Sequence, residues 1–287
     1  MNDTSTFVAY AQRGRNAWWR YLVGFCLAVL LSMVVGVVIV TALSVSPFKP
    51  ADFARGLQDT SRPVTFYLLN GALFGLMVVG FWLAIGLLHG KRFTDIIGRW
   101  RWRRFGAGVV VWGGVLVVAS LVDYLIAPKG FAVTASHETP GLVLAALVGL
   151  AVQTFAEEFV FRGYVTQGLL LALKRPLPAA VVSGLLFGAL HIPNGTPQAV
   201  SAVIFGVLLA LIAIRSGGLA VTFGMHLVNN LFGAAVVVSS GDVFKGAPGL
   251  FTQTTPHLMW WDVAFGSVAL ALVAWFFARP TTAGESA

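Results

Sequence analysis

The chain has 287 residues, of which 57% are hydrophobic and only 10% charged, and its mean hydropathy is +0.84. Soluble domains carry about 25% charged residues, so the surplus apolar surface must face lipid; an ordinary soluble enzyme is excluded and a polytopic, all-α membrane protein is expected. The net charge of +8 argues for no nucleic-acid partner, because the basic residues concentrate in short loops between apolar runs.

A spanning helix needs about 20 mainly apolar residues. In chain order the runs of this kind are Tyr21–Val45, Thr65–His89, Phe105–Ala127, Gly141–Leu173, Pro178–Ile192, Gln198–Arg215, Leu219–Ser239 and Met259–Ala278. The first follows a polar, basic stretch and exceeds the ~7–15 residues of a signal-peptide core, so it reads as an uncleaved span. A straight fourth helix would run about 50 Å, beyond a hydrocarbon core of about 30 Å. It is therefore expected to tilt, to break near Gly163 or Gly168, or to leave the membrane as an amphipathic tail. The fifth run is short. About eight helices in one transmembrane domain, residues 1–287 with tails 1–17 and 280–287, is the organisation these runs predict.

Charge sets the orientation. With both termini cytoplasmic, thirteen of the nineteen Lys and Arg fall inside, five fall outside, and Arg162 lies within a span. That asymmetry is the positive-inside pattern. The loop Lys91–Arg104, KRFTDIIGRWRWRR, is the densest basic stretch and reads as a topology signal in contact with lipid headgroups. Trp18, Trp19, Trp100, Trp102, Trp260 and Trp261 sit at span ends, where aromatic belts anchor helices. Gly71/Gly75 and Gly184/Gly188 are small residues four apart, which let helices approach closely. The single cysteine, Cys26, allows no internal disulfide and is expected to be a packing residue.

Against this apolar background the stretch Ala156–Gly163, AEEFVFRG, stands out. A charge in hydrocarbon costs about 2.5–3.5 kcal/mol on the mildest scale. Glu158 and Arg162 are i and i+4 and share a helix face. Glu157 is turned about 100° away and needs a polar partner from another helix. Two later runs offer candidates: the fifth carries Phe187 and His191 four apart, the seventh His226 and Asn230 four apart, with Asn229 one step round. At about 1.5 Å per residue, His226 and Asn230 lie about 12–18 Å from the cytoplasmic end and His191 near about 20 Å, so the three helices can bring these groups to one depth.

A carboxylate between imidazoles can hold a water and take its proton as the water attacks a carbonyl, while an amide and an imidazole N–H stabilise the oxyanion. No serine or cysteine stands beside a histidine in an activating arrangement, which argues against a covalent nucleophile. Zinc is the competing reading: two His and one or two Glu can ligate it, although no HExxH places two ligands and a base on one helix. Each group also has a plainer reading, Glu158–Arg162 as a structural ion pair and His191, His226 and Asn230 as interhelical hydrogen-bonding residues. Asp123, Gln153 and Asp262 look isolated and are expected to serve packing or the interface. His89, His137 and His257, at span ends or in loops, receive no role.

Glu157-Glu158-x-x-x-Arg162, Phe187-x-x-x-His191 and His226-x-x-x-Asn230, in that order within hydrophobic helices, resemble the three motifs of the CAAX prenyl endopeptidase and bacteriocin-processing family, the Abi-type intramembrane proteases and their Ras-converting relatives. The resemblance covers roughly residues 140–240. It implies an eight-helix, glutamate-dependent intramembrane endopeptidase of the bacterial cytoplasmic membrane, acting on a membrane-associated protein or peptide without a metal cofactor. It implies Glu157 as the base, Glu158 and Arg162 as its support, His191 as a holder of the water, and His226 with Asn230 as the oxyanion site. Cleavage near the cytoplasmic leaflet is expected. A non-catalytic scaffold or bacteriocin-immunity factor and a zinc-dependent protease are the alternatives; a transporter is disfavoured, because no corresponding pair of interrupted spans is present.

Overall fold

The computed structural model describes residues 3–44, 52, 55–59, 61–241, 243–245, 247, 249–255 and 258–277. All eight apolar runs form helices. We number the helices α1 (Asp3–Ala11), α2 (Trp18–Ser44), α3 (Pro63–His89), α4 (Phe93–Ile97), α5 (Trp102–Ile126), α6 (Thr139–Leu173), α7 (Pro176–Ala189), α8 (Thr196–Ser216), α9 (Ala220–Val236) and α10 (Leu258–Phe277). Six of them, α2, α3, α5, α6, α8 and α10, are long and apolar enough to cross a membrane, and α7 and α9 are shorter apolar helices. The chain is a polytopic all-α membrane protein. Ala278 and the tail 280–287 lie outside the described residues.

Prolines at the first or second position open α3, α6, α7 and α8, where the missing N–H costs nothing. Left-handed residues close two of these: Lys174 (φ 55) ends α6 and Gly217 (φ 78) ends α8. Neither expected break interrupts α6, which runs unbroken for 35 residues. Its middle, Glu158–Val165, widens into π-helical turns. A π-stretch leaves carbonyls poorly partnered, and in a membrane hydroxyl side chains satisfy them. Here the Phe161 carbonyl accepts from Thr166 Oγ1 at 2.7 Å and from Ser183 Oγ of α7 at 3.2 Å.

The ends of the helices form two faces. One is basic: it carries α4 and the turns 174–175 and 217–219, clasped by Leu219 N donating to Ile97 O and Arg99 N donating to Gly217 O, both at 2.9 Å. The opposite face carries the loop 190–195 and a three-stranded sheet of β1 (Phe131–Val133), β2 (Val237–Ser239) and β3 (Phe251–Gln253), in which β3 pairs antiparallel with β1 and parallel with β2. These three-residue strands were not legible as strands, and Val237–Ser239 falls where the seventh helix was expected to end.

Residues 3–17 are more than a tail. Helix α1 docks beneath the basic face with Phe7 and Ala11 fully buried, against a cluster that includes Leu170, Ala179 and Leu219. The following segment is held by buried polar contacts. Lys91 Nζ donates to Ala11 O at 2.7 Å, Tyr21 Oη at 3.0 Å and Gln167 Oε1 at 3.2 Å. Arg13 pairs with Asp95 at 2.8 Å. His89, without a role from sequence, is fully buried and bridges the Arg15 carbonyl and Tyr164 Oη. Trp18, Trp102, Trp260 and Trp261 are exposed as anchors should be; Trp100 instead stacks on Phe105 and lies against Phe223. Cys26 is exposed rather than packed.

Helix packing follows the glycines, with one exception. A Cβ on Gly184 would lie 2.5 Å from Val207 N, one on Gly188 2.9 Å from Val203 N, and one on Gly71 2.8 Å from Gly149 Cα, whereas one on Gly75 would meet only Val152 Cγ1 at 3.5 Å. Gly184→Val is therefore expected to force α7 from α8 at a cost of about 1–3 kcal/mol, while Gly75→Ala stays within about 0.5 kcal/mol; thermal unfolding in detergent compares them. Burial pushes the Lys91 ammonium down to about 8 from its ordinary 10.5. Between those values the unfolded chain holds a proton that the folded chain has released, so stability gains with rising pH. Thermal midpoints measured from about pH 8 to 10.5 should show this rise in the wild type and lack it in Lys91→Met.

Candidate active site

The three motifs converge. From α9, His226 reaches between the two carboxylates of α6: its Nδ1 lies 2.8 Å from Glu158 Oε1 and its Nε2 lies 3.4 Å from Glu157 Oε2. Arg162 Nη1 stands 3.1 Å from the same Glu158 Oε1. Glu158 and Arg162 are fully buried, and Glu157 and His226 are 9% and 4% exposed. The Glu158–Arg162 contact is an ion contact off the hydrogen-bonding axis, since Arg162 Nη1 makes no aligned hydrogen bond, and Nε and Nη2 have no partner among the described residues. The guanidinium lies instead over the Phe187 ring, 4.2 Å from its centroid, a cation–π contact that desolvation strengthens.

Phe187 thereby acquires a physical reason to stand in its motif. Its ring touches Arg162 on one side and His191 on another, at 4.6 Å between centroids, and presents its face or edge to His226 at 5.9 Å. His191 sits just beyond the end of α7, where Nδ1 donates to the Phe187 carbonyl at 2.9 Å. A carbonyl only accepts, so Nδ1 carries a proton, and Nε2 is the nitrogen left to face the cavity.

A cavity of about 350 Å³ adjoins this cluster. Glu157, His191, His226 and Asn230 line it; Glu158 and Arg162 do not. The six expected site residues thus divide into four that face the cavity and an ion pair behind them. The lining continues through Ser120, Asn194, Ser239 and Gln253 to the sheet-bearing face, away from the basic loops.

Several partners escaped the sequence. Gln153, expected to be isolated, donates from Nε2 to Glu157 Oε1 at 3.3 Å. Its i, i+4 spacing to Glu157 is the relation that pairs Glu158 with Arg162, so the signal was present. Thr154 Oγ1 accepts from Asn230 Nδ2 at 3.2 Å. Asn229, one step round from the motif face, donates to Asn230 Oδ1 at 3.4 Å and accepts from Trp112 Nε1 of α5 at 3.1 Å. Asp123 and Asp262 are also not isolated: their carboxyls interact across α5 and α10 and line the same cavity. His137 lies in the loop before α6, and His257 is outside the described residues.

The donor set for a metal is thin. Among the described residues no three His, Cys, Asp or Glu side chains come together as a metal site, and both nitrogens of His226 already face carboxylates.

Residues 139–232, which span α6 to the start of the last turn of α9, match the family described as type II CAAX prenyl endopeptidase Rce1-like. A protein of Bacillus subtilis (strain 168) named "Uncharacterized protein YyaK" is 28% identical over 273 residues, covering 91% of this chain and 91% of its own length. No solved structure matches. The segment that carries Glu157, His191, His226 and Asn230 is thus similar to the Rce1-like type II CAAX prenyl endopeptidases.

Proposed function

We propose that the protein is an intramembrane endopeptidase that hydrolyses a peptide bond of a membrane-associated protein or peptide with water activated by Glu157. The observation that carries this reading is the division of the cluster. Glu157 faces the cavity, gripped by His226 and Gln153, while Glu158 and Arg162 form a buried ion pair behind it.

Glu157 and His191 Nε2 hold a water in the cavity. Glu157 takes one proton as the water oxygen attacks the carbonyl carbon, and the tetrahedral oxyanion forms. Collapse breaks the C–N bond, and Glu157 returns the proton to the leaving amine, so that water and peptide become a carboxylic acid and an amine. Asn230 supplies the oxyanion donor. Its amide has two N–H groups, one engaged by Thr154 and the other left for the substrate oxygen. The role the resemblance gives His226 changes here, because its nitrogens are taken by Glu157 and Glu158. It is a positioning residue that fixes both carboxylates.

The protein lies in the bacterial cytoplasmic membrane with its basic face and both termini inside, as the positive-inside pattern requires. The cavity runs to the opposite face, so cleavage falls towards the outer leaflet rather than near the cytoplasmic one. In intact cells of a Cys26→Ser background, a cysteine placed at Ser239 should react with a membrane-impermeant maleimide. One placed at Arg103 should react only after permeabilisation, and the reverse pattern would invert the orientation.

In liposomes, a panel of lipidated and unlipidated peptides compared across wild type, Glu157→Gln and His226→Ala tests the chemistry. Loss of about 10²–10⁴-fold in rate is expected for Glu157→Gln, with cleavage by wild type unchanged by a strong chelator. Cleavage lost to the chelator and restored by zinc would establish the metal-dependent alternative. Unchanged cellular function in folded Glu157→Gln would favour the scaffold or immunity role. Thr154→Val should lower kcat about tenfold with little change in KM, because it loosens the oxyanion donor and not substrate binding.

A further inference from the structure

The cavity has a second polar region beyond the Glu157 cluster. Asp123 of α5 is 5% exposed, and its Oδ1 has no hydrogen-bond partner among the described residues. Its carboxyl interacts with that of Asp262 at the start of α10. Gln253 of β3 is 4% exposed, and its Nε2 also lacks a partner among the described residues. All three line the cavity that Glu157 faces. A buried acceptor and a buried donor left unpaired each cost about 1–3 kcal/mol, and groups so placed serve a ligand when a cavity brings one to them.

The sign of the charge selects that ligand. The chain carries a net charge of +8, yet among the described residues the cavity is lined by Asp123, Glu157 and Asp262 and by no lysine or arginine. In a site of low dielectric, carboxylates without a fixed counter-charge strongly favour a cation. The acidic pair lies towards the sheet-bearing face, where a long basic side chain can keep its stem in apolar surroundings and its head among polar groups.

Building on the endopeptidase reading, we infer that Asp123, Asp262 and Gln253 form a specificity subsite for a lysine or arginine side chain of the peptide substrate. The basic head sits between the two carboxyl groups. The Gln253 amide donates to a backbone carbonyl of the same peptide, which fixes its register relative to Glu157.

Binding measured apart from cleavage tests this. A rhodamine-labelled Ala/Leu peptide with one central lysine is titrated by fluorescence anisotropy in a neutral detergent, beside the same peptide carrying norleucine or glutamate there. Wild type should bind the lysine peptide about tenfold more tightly than the norleucine peptide, with the glutamate peptide weakest. In an Asp123→Asn/Asp262→Asn double variant whose elution profile and thermal midpoint match wild type, the ratio should fall to about one. Equal or reversed order in wild type, no binding of any of the three, or a ratio unchanged in the folded double variant overturns the subsite. The wild-type order stands as the test should the double variant not fold. Cleavage of the same peptides, with Glu157→Gln as control, reports separately on the protease. A lysine preference without cleavage would keep the subsite and sink the endopeptidase reading, and Glu157-dependent cleavage without the preference would do the reverse.

Discussion

The structure depends on where His226 stands. Two adjacent carboxylates and a guanidinium at membrane depth would each cost several kcal/mol if left alone. His226 resolves this by placing one ring nitrogen against each carboxylate. Glu158 is then shared between His226 and Arg162, and the Arg162 guanidinium rests on Phe187. One histidine on α9, two carboxylates and a guanidinium on α6 and an aromatic ring on α7 hold one another in place. The cluster therefore fixes how α6, α7 and α9 pack, and the packing in turn leaves one carboxylate, Glu157, facing open space.

The widened middle of α6 serves the same end. Glu158–Val165 holds Glu158 and Arg162 on one side of a π-helical stretch, and such stretches recur at functional sites because they re-aim side chains at the cost of backbone bonding. Thr166 and Ser183 recover part of that cost at the Phe161 carbonyl. Two residues beyond Arg162, Tyr164 joins the buried network of His89 and Tyr21. Gln167 ties the same helix to Lys91 and to the α4 backbone. The N-terminal helix and the basic loop thus brace α6 from the face opposite the cavity.

Much of this was legible in the sequence because a membrane makes polar residues conspicuous. Eight apolar runs gave eight helices, and the three motifs gave the residues that meet around Glu157. Spacing rules act within one helix, and they would also have paired Gln153 with Glu157 had they been applied there. What spacing cannot reveal is contact between helices distant in sequence, such as Asp123 with Asp262, or Trp112 with Asn229. The docking of α1 was hidden for another reason: a nine-residue helix in a polar stretch has too little apolar surface to announce itself, although Phe7 and Ala11 lie four apart. The short sheet escaped because three-residue strands are set by their partners rather than by their own residues.

The central claim is that Glu157 activates water directly and that no acyl-enzyme forms. Hydroxylamine added during turnover of a cleaved peptide tests it, with the new C-terminus read by mass spectrometry. A product that is the free acid alone, at every hydroxylamine concentration, is the result expected. A C-terminal hydroxamate that rises with hydroxylamine would reveal a covalent acyl intermediate and contradict the account.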